Sequence, residues 1–238
     1  MVVIGNEILT GKVEDCNSPF LCRELTALGV EVGRLITVPD DMGLIGEAAL
    51  AFSRAFDWVF TSGGIGPTHD DMTIPAIARA FDVKVISDPL LEKVLRNHYG
   101  DRLTEDHLMM ARVPEGTELI QIEGLFYPVI SFQNLFIFPG VPELFRYKFN
   151  GIKERFRGSP ATVKTLFLKA DEGTIAATLR QTESDHPGIL IGSYPCFTRA
   201  DYTVKVTVEG READVVEGAY ARLKEALGTL PATIVREA

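Results

Sequence analysis

The stretch Thr61-Ser62-Gly63-Gly64-Ile65-Gly66-Pro67-Thr68-His69-Asp70-Asp71-Met72-Thr73 follows an apolar run, Trp58-Val59-Phe60, and leads into Pro75-Ala76-Ile77-Ala78-Arg79-Ala80-Phe81. The flanks read as a buried strand and a helix, so the glycine-rich segment falls at the carboxyl end of a strand, where open α/β sheets bind ligands. Glycine lets a chain adopt positive φ and bring backbone N–H groups against an anion with no Cβ in the way. Asp70 and Asp71 add hard oxygen ligands of the kind that magnesium-like ions prefer. Gly63, Gly64 and Gly66 are therefore candidate phosphate-binding positions, and the aspartate pair is a candidate cation site. The competing reading is a plain tight connection in which Asp70 or Asp71 caps the following helix ahead of Thr73 and Pro75. Two adjacent carboxylates exceed what one cap needs, which favours the first reading, with one of the pair expected to act as a cap or structural acceptor.

Outward from this loop the chain alternates strand and helix. Val2-Val3-Ile4 is a short apolar strand, clipped at its amino end, that breaks at Gly5-Asn6-Glu7. Asn17 to Leu28 carries Phe20, Leu21, Leu25 and Leu28 at helical spacing and closes at Gly29. Val30 to Val38 alternates like a strand, Asp40-Asp41 opens a helix through Ile45, Ala48, Ala49, Leu50 and Phe52, and the strand before the glycine loop comes next. This β-α-β-α-β-α succession predicts a mostly parallel sheet with helices on both faces, a three-layer α/β architecture.

Pro89 to about Ala111 reads as a helical excursion, and Pro114-Glu115-Gly116-Thr117 as a turn. Val129-Ile130-Ser131 and Leu135-Phe136-Ile137-Phe138 read as strands separated by Gln133-Asn134. The second ends in Pro139-Gly140-Val141-Pro142-Glu143 ahead of a helix through Leu144, Phe145 and Phe149. Gly140 is a second candidate ligand loop if its strand neighbours the first; taken alone, a strand-to-helix turn is the simpler account. Arg157-Gly158-Ser159-Pro160 marks a boundary, giving a first domain over 1–157 and a second over 160–238. The second reads β-α-β-β-α-β, the order of a small ferredoxin-like α+β unit.

A hydrophobic share of 46% over 238 residues is ample for buried cores. The net charge of −9 argues against nucleic acid as the main partner, since phosphate backbones are bound through clustered Lys and Arg. No apolar run approaches the roughly 20 residues that span a bilayer, and the start lacks the regions of a signal peptide, so no membrane partner and a cytoplasmic location are expected. Cys16, Cys22 and Cys196 show no CxxC spacing, and His69, His98, His107 and His186 show no helical metal-site spacing.

Gly5-Asn6-Glu7-Ile8-Leu9-Thr10-Gly11, Asn17, the Gly63 to Thr73 loop and Pro139-Gly140-Val141-Pro142 together resemble the molybdopterin-binding domain of the CinA (competence/damage-inducible protein A) family, which also forms the amino-terminal half of some eukaryotic FAD synthases. The resemblance covers residues 1 to about 157, and Gly192-Ser193-Tyr194-Pro195 resembles part of the small domain that follows in CinA-like nucleotide pyrophosphatases. It implies a metal-dependent hydrolase that splits the pyrophosphate of compounds such as ADP-ribose or FAD, with magnesium, manganese or cobalt as the divalent ion.

Carried over by position, Asp71 resembles the catalytic, metal-binding aspartate, with Asp70 beside it, and Glu7 looks like the acidic partner in metal binding. Gly5, Asn6, Gly63, Gly64, Gly66, Thr68, Gly140 and Pro142 match the phosphate- and nucleotide-binding positions, and Ser193 and Tyr194 are candidate substrate contacts. Val141 stands where adenylyltransferase relatives carry a serine or asparagine, which weakens a molybdopterin-transfer reading, and no room remains after Ala238 for the deamidase domain of the full-length family protein. Three readings stay open: a nucleotide pyrophosphatase, which the acid pair and companion domain favour; a molybdopterin-binding or molybdopterin-adenylylating protein; and a non-catalytic interaction module. A small-molecule nucleotide or pterin ligand and a homo-oligomer are expected. Phe145, Phe149 and Phe156 either furnish an apolar interface for that assembly or face inward as core, which is the commoner fate of an apolar stripe.

Overall fold

In the computed structural model, which describes residues 1–198 and 201–238, the chain forms two compact units, Met1–Arg157 and Gly158–Ala238. The first contains β1 (Val2–Ile4), α1 (Asn6–Leu9), α2 (Asn17–Ala27), β2 (Ile36–Val38), α3 (Met42–Ala55), β3 (Val59–Ser62), α4 (Thr73–Ala80), β4 (Val85–Ser87), α5 (Pro89–Tyr99), α6 (Glu105–Met109), β5 (Arg112–Pro114), β6 (Glu118–Ile120), β7 (Val129–Phe132), β8 (Leu135–Phe138) and α7 (Pro142–Ile152). Six strands form one sheet in the order β2-β1-β3-β8-β7-β6. The first four are mutually parallel, and β7 runs antiparallel to both β8 and β6. β4 and β5 pair separately.

Alternation along the strands divides the core in two. Val2, Ile4, Val59, Ile130, Phe132, Leu135 and Ile137 pack with Ile45, Ala49 and Phe52 of α3 and Ile77 of α4. Val3, Phe60, Val129, Phe136 and Phe138 point the other way, onto Leu21 and Leu25 of α2 and Phe145, Phe149 and Ile152 of α7. The three-layer α/β sheet read from the sequence is therefore what forms.

On the second face Phe60, Phe136, Phe138, Phe145, Phe149 and Phe156 make a continuous ring cluster, with Phe60–Phe156 centroids 5.0 Å and Phe138–Phe145 centroids 5.0 Å apart. Phe145, Phe149 and Phe156 are buried within it and offer nothing to an interface.

Several elements differ from the sequence reading. The alternating run Val30 to Val38 pairs only over Ile36–Val38, because its neighbour β1 presents three residues and β2 is the sheet edge. The excursion from Pro89 is broken by Gly100 at φ +53° into α5 and α6 and ends in a strand, β5. β4, β5 and β6 carried no readable signal: each is three residues long, too short for a period-two pattern to register.

The second unit contains β9 (Thr162–Lys169), α8 (Glu172–Asp185), β10 (Ile189–Pro195), β11 (Val204–Gly210), α9 (Ala213–Leu227) and β12 (Thr233–Glu237). Its four strands are antiparallel in the order β10-β11-β9-β12, the ferredoxin-like arrangement. Leu166, Leu168, Val204, Val206 and Val208 pack with Ile175 and Leu179 of α8 and Val216, Leu223 and Leu227 of α9. Gly192 makes no bulge: the β10–β11 register runs unbroken from Ile189↔Gly210 to Pro195↔Val204, and the irregularity lies at Ile234/Arg236 of β12.

Because Phe149 touches rings from both β3 and β8, Phe149→Ala leaves a void no neighbour can fill and is expected to cost about 3–5 kcal/mol. Denaturant unfolding checks this; a loss near zero would show that the cluster closes over the gap.

Candidate functional site

β3 and β8 lie side by side in parallel, Val59↔Leu135 to Ser62↔Phe138, so the loops that follow them open at one edge of the sheet. The N–H of Gly63 donates to Phe138 O at 3.1 Å, carrying the ladder one residue past β3. At φ +108° a Cβ on Gly63 would stand 2.2 Å from Ile4 O, and at Gly64, φ +67°, one would meet Thr73 Oγ1 at 2.4 Å; neither position admits another residue without displacing main chain or the first turn of α4. Asn17, buried in the first turn of α2, donates its two amide hydrogens to Ser62 Oγ at 3.0 Å and Gly140 O at 2.8 Å. One side chain thus fixes the spacing of both loops.

Beyond Gly63 the loop turns around Thr68. Its N–H donates to Asp71 Oδ2 at 2.7 Å, and its hydroxyl hydrogen is shared between Asp71 Oδ2 and Asp70 Oδ1, each 2.6 Å away. Both aspartates are therefore structural acceptors, while the first turn of α4 has no side-chain cap. The Thr68 hydroxyl, with a smaller contribution from His69, holds the Asp70 carboxyl below the usual carboxylate range. Among the described residues Asp71 Oδ1 accepts no hydrogen bond, and the N–H groups of Gly64, Ile65, Gly66 and Gly140 find no acceptor.

These groups line one cleft of about 510 Å³. Glu7, Gly63, Gly64, Gly66, Asp70, Asp71, Gly140 and Pro142 all reach it. Thr68 acts from behind the aspartates. Gly5 and Asn6 stand outside the lining: Gly5 N donates to Val38 O, and Asn6 N donates to Asp40 Oδ2 at 2.8 Å, which places Asp40 in the cleft wall. Ser193 and Tyr194 belong to β10 of the second unit, where Ser193 Oγ donates to Glu172 and the Tyr194 ring occupies the space a Cβ on Gly192 would need. No three His, Cys, Asp or Glu side chains among the described residues converge on one point. Glu7 and Asp71 share the cleft without forming such a cage.

The sequence reading missed the apolar part of the lining, which Met110, Leu125, Phe126, Tyr127, Val141 and Leu144 supply. Phe126 is 38% exposed and is backed by His98, whose ring lies parallel at 3.6 Å. Lys148 also lines the cleft although it is only 3% exposed. A signal for it existed: Phe145, Lys148, Phe149 and Ile152 follow the i, i+3, i+4, i+7 stripe of a buried helix face, and a lysine there is out of pattern. Asp40 was equally visible as the member of Asp40-Asp41 that the α3 cap, supplied by Asp41, leaves over.

Fold and cleft together define an α/β protein that presents a glycine-and-carboxylate site at the carboxyl edge of a mostly parallel sheet. A family model described as "Probable molybdopterin binding domain" matches residues 1–237, and the chain belongs to that family. A protein of Archaeoglobus fulgidus is 34% identical over 231 residues, covering 95% of this chain and 96% of that one. A "Probable FAD synthase" of Caenorhabditis elegans is 29% identical over 255 residues; the match covers 95% of this chain but 49% of the synthase, so the chain spans about half of that relative. A crystal structure of CinA from Thermoplasma acidophilum, described as of unknown function, superposes with a TM-score of 0.60 at 30% identity, covering 65% of this chain and 96% of that one. No helix among the described residues is long and apolar enough to cross a membrane.

Burial pushes the Lys148 amine down to about 7 from the ordinary lysine value of 10.5. Between those values the unfolded chain holds one more proton than the folded one, so stability rises with pH across the window, by up to about 1.4 kcal/mol per unit, and is flat below it. Lys148→Met removes that slope. Urea unfolding of both proteins between pH 6 and about pH 10 tests this, and equal slopes above pH 7 would refute it.

Proposed function

We propose that the first unit is a metal-dependent hydrolase of the pyrophosphate bond in nucleotide diphosphate compounds such as ADP-ribose or FAD. The observation that carries this reading is the pair of facing loops. Gly64, Ile65, Gly66 and Gly140 offer N–H groups with no acceptor among the described residues, beside two aspartates held in place by Thr68. Such N–H groups stabilise charge that develops on phosphoryl oxygens, and they are already fixed before reaction.

The donor set suits a hydrated divalent cation. Magnesium-like ions are usually held by one or two carboxylates together with waters and the substrate's own phosphates, so the lack of a three-carboxylate cage among the described residues agrees with this chemistry. Asp71, through its free Oδ1, and Asp70 are the residues that would hold the ion, with Glu7 on the same cleft. When bound, the ion would offset phosphate charge and lower the pKa of a coordinated water. Thr68 orients the Asp70 and Asp71 carboxylates and favours the ionised form of Asp70, and the Asn17 clamp ties the second loop to the first.

The aromatic wall fits the remainder of such a ligand, since Phe126 and its His98 backing present a fixed flat surface to a purine or isoalloxazine ring. The likeness to a protein named as an FAD synthase supports a ligand of the flavin dinucleotide type. The same wall fits a pterin, and the family description supports that second reading, in which the cleft binds or adenylylates molybdopterin.

The test is AMP release from ADP-ribose, FAD and NAD in the presence of magnesium, manganese or cobalt. Wild type is expected to cleave at least one of them, and Asp71→Ala to lower the rate by roughly 100-fold or more. Inactivity across the whole panel, with tight binding of the pterin, would replace this reading with the second.

A further inference from the structure

The cleft wall carries four carboxylates, from Glu7, Asp40, Asp70 and Asp71, and a single basic side chain, Lys148. Lys148 leaves α7 one turn after Leu144, which lines the same cleft, and its Nζ donates to the main-chain carbonyls of Tyr127 (2.9 Å) and Pro128. Nζ also stands 4.7 Å from the centroid of the Tyr127 ring, whose hydroxyl donates to Met110 O. Both acceptors are neutral, and none of the ion pairs among the described residues includes this amine.

Burying an ammonium with no counter-ion is strongly unfavourable, and a methionine at this stripe position would complete the core without that cost. An ammonium has three donors, and the two carbonyls use two of them. In the ammonium form the remaining donor, on a nearly enclosed side chain at the cleft wall, has no hydrogen-bond partner among the described residues.

We propose that Lys148 is the anion-recognition residue of this cleft, pairing its third N–H with a phosphate-class oxygen of the ligand directly, with no metal between them. The four lining carboxylates repel an incoming phosphate, and Lys148 is the one lining group of opposite sign. A cation bridged by Asp70 and Asp71 answers part of the ligand's charge, and Lys148 answers a part that those aspartates do not address. Burial favours the neutral amine, whose two N–H groups the two carbonyls satisfy, and an adjacent anion restores the charged form and with it the third donor. The inference rests on the cleft taking a phosphate-bearing ligand, but not on any bond being cleaved there.

The experiment is calorimetric titration of the full chain with inorganic diphosphate, with and without magnesium, for wild type, Lys148→Met and Lys148→Gln. Thermal unfolding of each shows that the variants titrated are folded; if Met disturbs the packing, Gln keeps a polar head at the same place. Wild type is expected to bind, and the folded variants to bind at least about tenfold more weakly in both conditions. Equal affinity in either folded variant overturns the proposal, as does failure of wild type to bind diphosphate at all. Lysine-dependent binding together with inactivity across the dinucleotide panel would sink the hydrolase reading and leave this one standing.

Discussion

The parallel pairing of Val59–Ser62 with Leu135–Phe138 is the constraint from which the rest of the first unit follows. It sets two strand-to-helix loops at adjacent positions on one edge of the sheet, and the Gly63 N–H to Phe138 O bond extends the ladder to the point where they diverge. The phenylalanines of that seam alternate with Val59, Thr61, Leu135 and Ile137, so the strands that bring the loops together also anchor α7 beneath one of them. Asn17 then spans the seam from a different helix. Each loop is held at its base by main chain or by a buried amide.

Around that edge the electrostatics are unbalanced by design of the wall. Acid residues gather where glycine N–H groups gather, and these attract opposite kinds of partner: cations to the first, anions to the second. A phosphate-bearing ligand that arrives with a divalent ion satisfies both together, which is why the two features read as one site. The Thr68 hydroxyl favours the ionised form of Asp70, and the buried Lys148 amine is the one basic side chain among the residues that line the cleft.

Much of this was legible in the sequence because the signals are local. Three glycines after an apolar run, an aspartate pair ahead of a helix, and Pro-Gly-Val-Pro after Leu135–Phe138 name their positions through backbone freedom and side-chain chemistry alone. The second unit was readable for a similar reason, as its strands are five to eight residues long. The three-residue strands β4, β5 and β6 were not, since they exist only through a partner. The apolar wall of the cleft was not either: Met110, Phe126 and Tyr127 lie in and beside segments whose pairing no local pattern reveals, and Phe126 becomes a surface only because His98, from α5, stacks behind it.

The sequence by itself determined the order of the longer strands and helices, the division into a unit with a mostly parallel sheet and a small α+β unit, and the loop that carries the carboxylates, because period, glycine and proline act over a few residues. Only the tertiary structure decided that Glu7, Asp40, Asp71, Gly140 and Lys148 meet, and that the lysine does so without a counter-ion. Those residues are far apart along the chain, and their convergence depends on strand order and on the burial that strand order creates, which no single stretch of sequence encodes.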